Sequence, residues 1–290
     1  MIDHPLLRRL GGIASTHQLC AAGASREELS IAVRDGVLSR VRKGVYALPG
    51  ASPAARAAVV ARGRLSCVSA ARTYGLWAGH DTRVHIQLPR NARPGSAVGL
   101  VRHWLPTERG EQLWRVTVAD CLRSVARCAD EETAVAVFDT AISAGLTDPV
   151  ALRRLVAGQP QNVRARAALA SPGSDSGVES IVRQRLQASG HRVEQQVHLA
   201  GVGRIDMRID GVLYLEIDGF AFHSDRQAFD RDRSRDMQLG ALDARRLRVS
   251  AKQVRDQWMD VLSAIEATLR HSANSQERRD HLGPVPCSIY

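Results

Sequence analysis

Between Glu179 and Arg248 this 290-residue chain gathers side chains able to hydrolyse a phosphodiester. Arg204-Ile205-Asp206 and Leu215-Glu216-Ile217-Asp218-Gly219 carry carboxylates on two alternating apolar stretches joined by Asp210-Gly211. Two convergent carboxylates suit a hard cation, Mg²⁺ or Mn²⁺, that keeps waters for reaction. Such an ion polarises a phosphodiester oxygen and lowers the pKa of an attacking water. His223 follows Asp218 across Gly219, Phe220 and Phe222, placed to act as general base or to protonate a leaving oxygen. Asp230, Arg233 and Asp236 share one side of an expected helix, where Arg233 would stabilise charge developing on phosphate.

The two carboxylate stretches must form a hairpin, and its loop length decides where the acids point. A two-residue loop pairs Ile209 with Val212 and mixes carboxylates with core residues on both faces. A three-residue loop, Ile209-Asp210-Gly211, pairs Arg208 with Val212. It collects Ile205, Met207, Leu213, Leu215 and Ile217 on one face and Asp206, Tyr214, Glu216 and Asp218 on the other. A one-residue slip flips every side chain, so the apolar pattern selects the second register. Asp206 and Glu216 are then expected as diagonal neighbours, roughly 7–8 Å apart at the backbone.

Flanking elements support this hairpin. Ser176-Gly177-Val178-Glu179 opens a helix ending at Gly190, and Val193 to Leu199 reads as a strand. A last helix capped by Ser250 and Gln253 presents Val254, Trp258, Leu262, Ile265 and Leu269 to a core. Structural alternatives stand beside the chemical ones. Glu179 could serve only its cap, Arg233 and Asp236 could be a solvated pair, and His223 a satisfied core histidine.

The N-terminal module reads as a helix-turn-helix with a wing. A helix with Leu6, Leu7 and Leu10 ends at Gly11-Gly12, a brief strand follows at Ile13-Ala14, and Ser15 or Thr16 starts a second helix. Ser25-Arg26-Glu27-Glu28 is a capping box whose helix turns Leu29, Ala32 and Val33 inward. Ser25, Arg26, Ser30 and Arg34 remain available to DNA, and Val37 to Leu48 forms a hairpin offering Arg40, Arg42 and Lys43 to phosphate. A protein-interaction role for the same shape is the alternative.

The net charge of +10, almost all of it arginine, favours a polyanionic partner. No run approaches the ~18 apolar residues of a membrane span, and charges interrupt the N-terminus where a signal peptide would be apolar. Five scattered cysteines form no C-x-x-C pair, which argues against a disulfide framework or zinc knuckle and for a reducing cytoplasm. His80, His85 and His103 match no familiar ligand spacing and read as ordinary polar positions. The expected organisation is a winged helix over 1–50, a middle region over 54–157 with a scaffold role, and a Ser/Gly/Pro-rich linker over 158–176. A catalytic domain over 177–270 and a loose tail over 271–290 follow.

Two resemblances sharpen this. GGIAS, LCAAG and DGVLSRVRKGVYALP resemble the N-terminal domain of AbiEi-type antitoxins of type IV toxin–antitoxin systems, and Val116-Thr117 with Asp120 and Arg123 resembles their middle domain. That resemblance implies DNA binding, often at the module's own promoter. Glu179, Arg204-Ile205-Asp206, Leu215 to Gly219, His223, Asp230 to Arg233 and Arg246 to Val249 resemble the very-short-patch-repair endonuclease-like branch of the PD-(D/E)xK nucleases. It implies a restriction-endonuclease-like α/β fold, Asp206 and Glu216 as metal ligands, His223 as catalytic histidine and Glu179 as the first-helix acid. Asp218 stands where many such enzymes carry lysine, which makes His223 more necessary or Asp218 an added ligand. The expectation is a mixed α/β, Mg²⁺- or Mn²⁺-dependent endonuclease acting on double-stranded DNA, nicking unless it forms a homodimer. The competing expectation is an antitoxin-like regulator with a cognate toxin and an inactive nuclease-like domain.

Overall fold

The computed structural model describes residues 4–92, 99–106, 108, 110–218 and 245–281, with side chains from 5 to 271 within those ranges. Two compact units divide at residues 171 and 172.

The first unit opens with α1 (His4–Arg9), β1 (Ile13–Ser15), α2 (Thr16–Ala21), α3 (Arg26–Arg34), β2 (Ser39–Arg42) and β3 (Val45–Ala47). Ser15 and Ser25 each form reciprocal capping boxes, with Gln18 and Glu28, so both helix starts are fixed by sequence-local bonds. The strands form an antiparallel sheet in the order β1-β3-β2, with Lys43-Gly44 at the tip of the β2–β3 wing. Leu7, Leu10, Leu19, Leu29 and Leu38 fill the core beneath the helices.

α4 (Pro53–Val60), β4 (Arg64–Leu65), α5 (Cys67–Thr73), β5 (Val84–Leu88) and β6 (Leu100–Trp104) follow. The unit closes with α6 (Val118–Cys128), α7 (Glu131–Ser143), α8 (Pro149–Leu155) and α9 (Gln161–Ala168). β4 lies antiparallel to β5, and β5 parallel to β6. Besides the core beneath its helices, the winged helix shares a second one with this region through its sheet. Ile13, Val45 and Ala47 pack in the same cluster as Val59, Leu65, Ile86 and Phe138. The Trp114 indole donates to Leu10 O at 2.6 Å. The expected linker also differs, because α9 occupies residues 161–168. Val163 and Ala167 are buried there, and Arg166 donates to the Ala126 and Ala129 carbonyls. The Ser/Gly/Pro composition of 170–177 obscured this short helix.

In the second unit α10 (Gly177–Ala188), β7 (Val193–Leu199), β8 (Gly203–Ile209), β9 (Leu213–Asp218) and β10 (Arg245–Ser250) precede helices Ala251–Asp256 and Trp258–His281. The sheet order is β10-β9-β8-β7; β7, β8 and β9 are antiparallel, and β10 runs parallel to β9. Met207, Ile209, Leu213 and Leu215 are fully buried against Val182, Leu186, Val261 and Ile265, and Ile205 is fully buried as well. The expected single last helix breaks at Gln257, and its second part runs to His281, so the tail assigned to 271–290 begins as helix. Residues 272–281 contain neither Gly nor Pro.

Gly11 sits at φ +75°, and a Cβ there would lie 2.5 Å from Trp114 Cζ2. Gly11→Ala is expected to destabilise the first unit by about 2 kcal/mol, combining left-handed strain with overpacking. The check is the midpoint of urea unfolding, and an unchanged midpoint would contradict this packing.

Candidate functional site

The β8–β9 hairpin decides the geometry. Ile209 pairs with Leu213 and Met207 with Leu215, so the loop is Asp210-Gly211-Val212. Arg208 pairs with Tyr214 in place of the expected Val212, a displacement of two residues on β9. Asp210 and Gly211 both take left-handed φ, 51° and 73°. The Asp210 carboxylate accepts from Arg192 N–H and bonds His191 Nδ1, both at 2.8 Å, anchoring the turn to the start of β7. Val212 is left at the tip, 41% exposed. Face parity is unchanged by a two-residue shift in pairing, so the apolar residues still share the buried side. Asp206 moves from diagonal to directly across from Glu216 when the ladder is continued.

One oxygen of Asp206 accepts the Ile217 N–H at 2.8 Å, so this side chain takes over where the backbone ladder ends. Glu216 is almost wholly buried, its side chain 8% exposed, and it pairs with two arginines of the adjacent strand. Arg248, aligned with Glu216 in the parallel register, reaches it at 3.3 Å, and Arg246 closes from two residues away. Arg248 Nε also lies 3.7 Å from Asp218 Oδ1, which places Asp218 at the edge of the same charge network.

Glu179 enters from the first turn of α10. Ser176 caps the helix by accepting from Glu179 N–H, but the Glu179 carboxylate does not merely complete a box. Its Oε2 accepts from Asp175 N–H and from Gln196 Nε2, both at 3.0 Å. Gln196 has φ 51°, which interrupts the alternation of β7 opposite Asp206 and lets its amide meet Glu179. Burial pushes the Glu179 carboxyl above its ordinary value of 4.5, and the charges of Asp206 and Asp175 push the same way against the hydrogen bonds. Glu179, Asp206 and Glu216 thus lie in one neighbourhood. Among the described residues they do not form a group of three with ligand atoms within 4.8 Å of one another. His223, Asp230, Arg233 and Asp236 lie outside the described residues.

The donors of this neighbourhood are hard carboxylate oxygens, which fit Mg²⁺ or Mn²⁺. An entering ion would compete with Arg246 and Arg248 for Glu216.

The other charged surface is the winged helix. Ser25, Arg26, Ser30, Arg34, Arg40, Arg42 and Lys43 are all exposed except where local bonds engage them. The Ser25 hydroxyl caps Glu28 N–H, Ser30 donates to Arg26 O, and Arg34 pairs with Asp35 at 3.0 Å. Sequence reasoning missed an extension of this surface. Arg42 joins Arg62, Arg64 and Arg90 around a cleft of about 540 Å³ against the β4–β5 strands. Arg64 Nη1 is buried and has no hydrogen-bond partner among the described residues. No spacing rule links those four arginines; only the packing of the wing on the middle sheet does.

Residues 5–49 match the family model described as a transcriptional regulator, AbiEi antitoxin. The match to the AbiEi antitoxin regulators covers the whole capped helix-turn-helix and its wing, and ends before α4. No curated protein matches the chain at a significant level. No helix among the described residues is long and apolar enough to cross a membrane.

Because folded Glu179 holds its proton more tightly than the unfolded chain does, the native state binds more protons between the ordinary and raised values. Stability of the second unit therefore falls as pH rises through that window and is greatest below it. Glu179→Gln should abolish this fall while keeping the Asp175 bond. Urea midpoints on both sides of the window check it, and equal pH slopes in the two proteins would refute the assignment.

Proposed function

We propose that the chain is a DNA-binding protein with a metal-dependent phosphodiesterase site in its second unit. α3 and the β2–β3 wing hold duplex DNA, with Arg26 and Arg34 on the helix facing base edges and Arg40, Arg42 and Lys43 on phosphate. The AbiEi-antitoxin match over this segment and its exposed basic side chains support this half.

The observation that carries the second half is Asp206 at the end of the β8–β9 ladder, bonded to the Ile217 N–H beside Glu216, in a sheet whose fourth strand is parallel to the third. Glu179 approaches from the preceding helix. That arrangement supports the reading drawn from the resemblance to the repair endonucleases. Bound at Asp206 and Glu216, Mg²⁺ or Mn²⁺ would supply a polarised phosphate oxygen and an activated water. The chain's own residues orient the reaction. Ile217 N–H fixes the Asp206 carboxylate, and Arg248 holds Glu216 and Asp218 together while offering positive charge to a phosphate. His223 is assigned the proton transfer. A single site makes a nick, with a homodimer needed to cut both strands.

Two observations favour a second reading, an antitoxin-like repressor acting with a cognate toxin. Glu216 is already neutralised by two arginines, and aspartate stands at the usual lysine position.

Supercoiled plasmid incubated with Mn²⁺ separates the readings. Nicking by the wild type and loss of at least 100-fold in Asp206→Ala is the expected result. Tight duplex binding with no nicking by either protein would establish the repressor reading instead. For the first unit, Arg42→Ala with Lys43→Ala should reduce the slope of log affinity against log salt by about 2, equally for all duplex sequences. An unchanged slope would remove the wing from the interface.

A further inference from the structure

Outside both sites, four residues spread over 62 positions converge in the first unit. Cys67, His85, His103 and Cys128 each present a ligand atom, and these atoms all lie within 4.8 Å of one another. Cys67 is the first residue of α5, His85 and His103 are neighbours on the parallel strands β5 and β6, and Cys128 is the last residue of α6. His85 Nδ1 lies 3.2 Å from His103 Nε2 and 3.7 Å from Cys128 Sγ.

These separations have a simple metric meaning. Zinc bonds of about 2.0–2.1 Å to nitrogen and 2.3 Å to sulfur, opened to a tetrahedral angle, set two nitrogens about 3.4 Å apart and nitrogen from sulfur about 3.6 Å apart. A hydrogen bond alone explains the imidazole pair, but it does not explain why both thiols join it. From this geometry we infer that Cys67, His85, His103 and Cys128 form a tetrahedral Cys₂His₂ site for Zn²⁺.

The surroundings are those of a metal-binding histidine. His85 Nε2 bonds Asp81 Oδ2 at 3.1 Å, and Asp81 is itself clamped by Arg83. A carboxylate accepting Nε2–H fixes the tautomer whose Nδ1 lone pair faces the cluster. The backbone is locked as well. His85 N–H donates to Ser69 Oγ, and Ser66 N–H donates to His85 O, both at 2.9 Å, tying β5 to the start of α5. Cys67 has φ 50°, a left-handed conformation costly for a residue with a Cβ and retained where the surrounding structure imposes it.

Two thiolates and two neutral imidazoles balance the charge of a divalent ion, and sulfur with nitrogen in a tetrahedron selects zinc over the hard cation expected at Asp206 and Glu216. All four protein ligands fill the coordination shell, so the role is structural. The ion staples β5 and β6 to α5 and α6 in a core built largely of alanines, where apolar burial per residue is small.

Elemental analysis of the full chain purified without chelators tests the site. One zinc per chain is expected in the wild type and in Cys20→Ser and Glu216→Gln. Cys128→Ser and His103→Ala should each lose it. Cys128 is exposed, so its serine variant is the one expected to stay folded. Wild type reloaded with Co²⁺ should show the intense visible bands of tetrahedral thiolate coordination. Absence of zinc together with failure to take up Co²⁺, equal zinc in wild type and Cys128→Ser, or a Cys67–Cys128 disulfide by mass would each overturn the inference.

Discussion

A carboxylate buried as deeply as Glu216 must be paired, because an uncompensated charge in that position would cost several kcal/mol. Its partners come from the next strand, and the parallel register of β10 on β9 delivers them. Arg246 and Arg248 fall on the face of Tyr214, Glu216 and Asp218, while Leu247 and Val249 fall with Leu215 and Ile217. A slip of one residue would drive both arginines into the apolar core and strip Glu216 of its counter-charges. The position of β10, and with it the placement of Asp218 beside Arg248, follows from this one electrostatic demand.

The same pairing defines how the face could act on DNA. Two guanidinium groups beside a carboxylate make a surface that attracts phosphate and resists cations until phosphate arrives. In the proposed function Asp206 and Glu216 would hold a divalent ion, and Arg246 and Arg248 would offer positive charge to a substrate phosphate. Asp206 is already oriented by Ile217 N–H. In the other unit, two capping boxes and a Gly-turned wing set a basic surface rigidly, and the arginine cleft against the middle sheet continues it.

Local rules carried much of this structure. Serine caps with Gln18, Glu28 and Gln253 marked helix starts, and strict alternation in 205–217 marked which side of the hairpin is buried. The register was only half legible. Alternation fixes parity, whereas the loop position depended on Asp210 being held by His191 and Arg192, which no residue pattern announces. Arg246 and Arg248 were legible as part of a resemblance but not as partners of Glu216, because parallel pairing across a long connection leaves no local trace. His85 and His103 read in the sequence as ordinary polar positions, and Cys67 and Cys128 as scattered thiols. Metal motifs are recognised by short ligand spacings, and here the spacings are those of a sheet and two helices. The shared core of winged helix and middle region was hidden because the small residues of 48–53 read as a break.

The most direct measurement of the account's central claim is Mn²⁺ binding to the full chain, followed by the ion's paramagnetic resonance in the presence of a short duplex. One Mn²⁺ site per chain, strengthened by the duplex and lost in Glu216→Gln, is the expected result. Equal Mn²⁺ binding by wild type and Glu216→Gln, or none with duplex present, would contradict a metal-dependent site on this sheet.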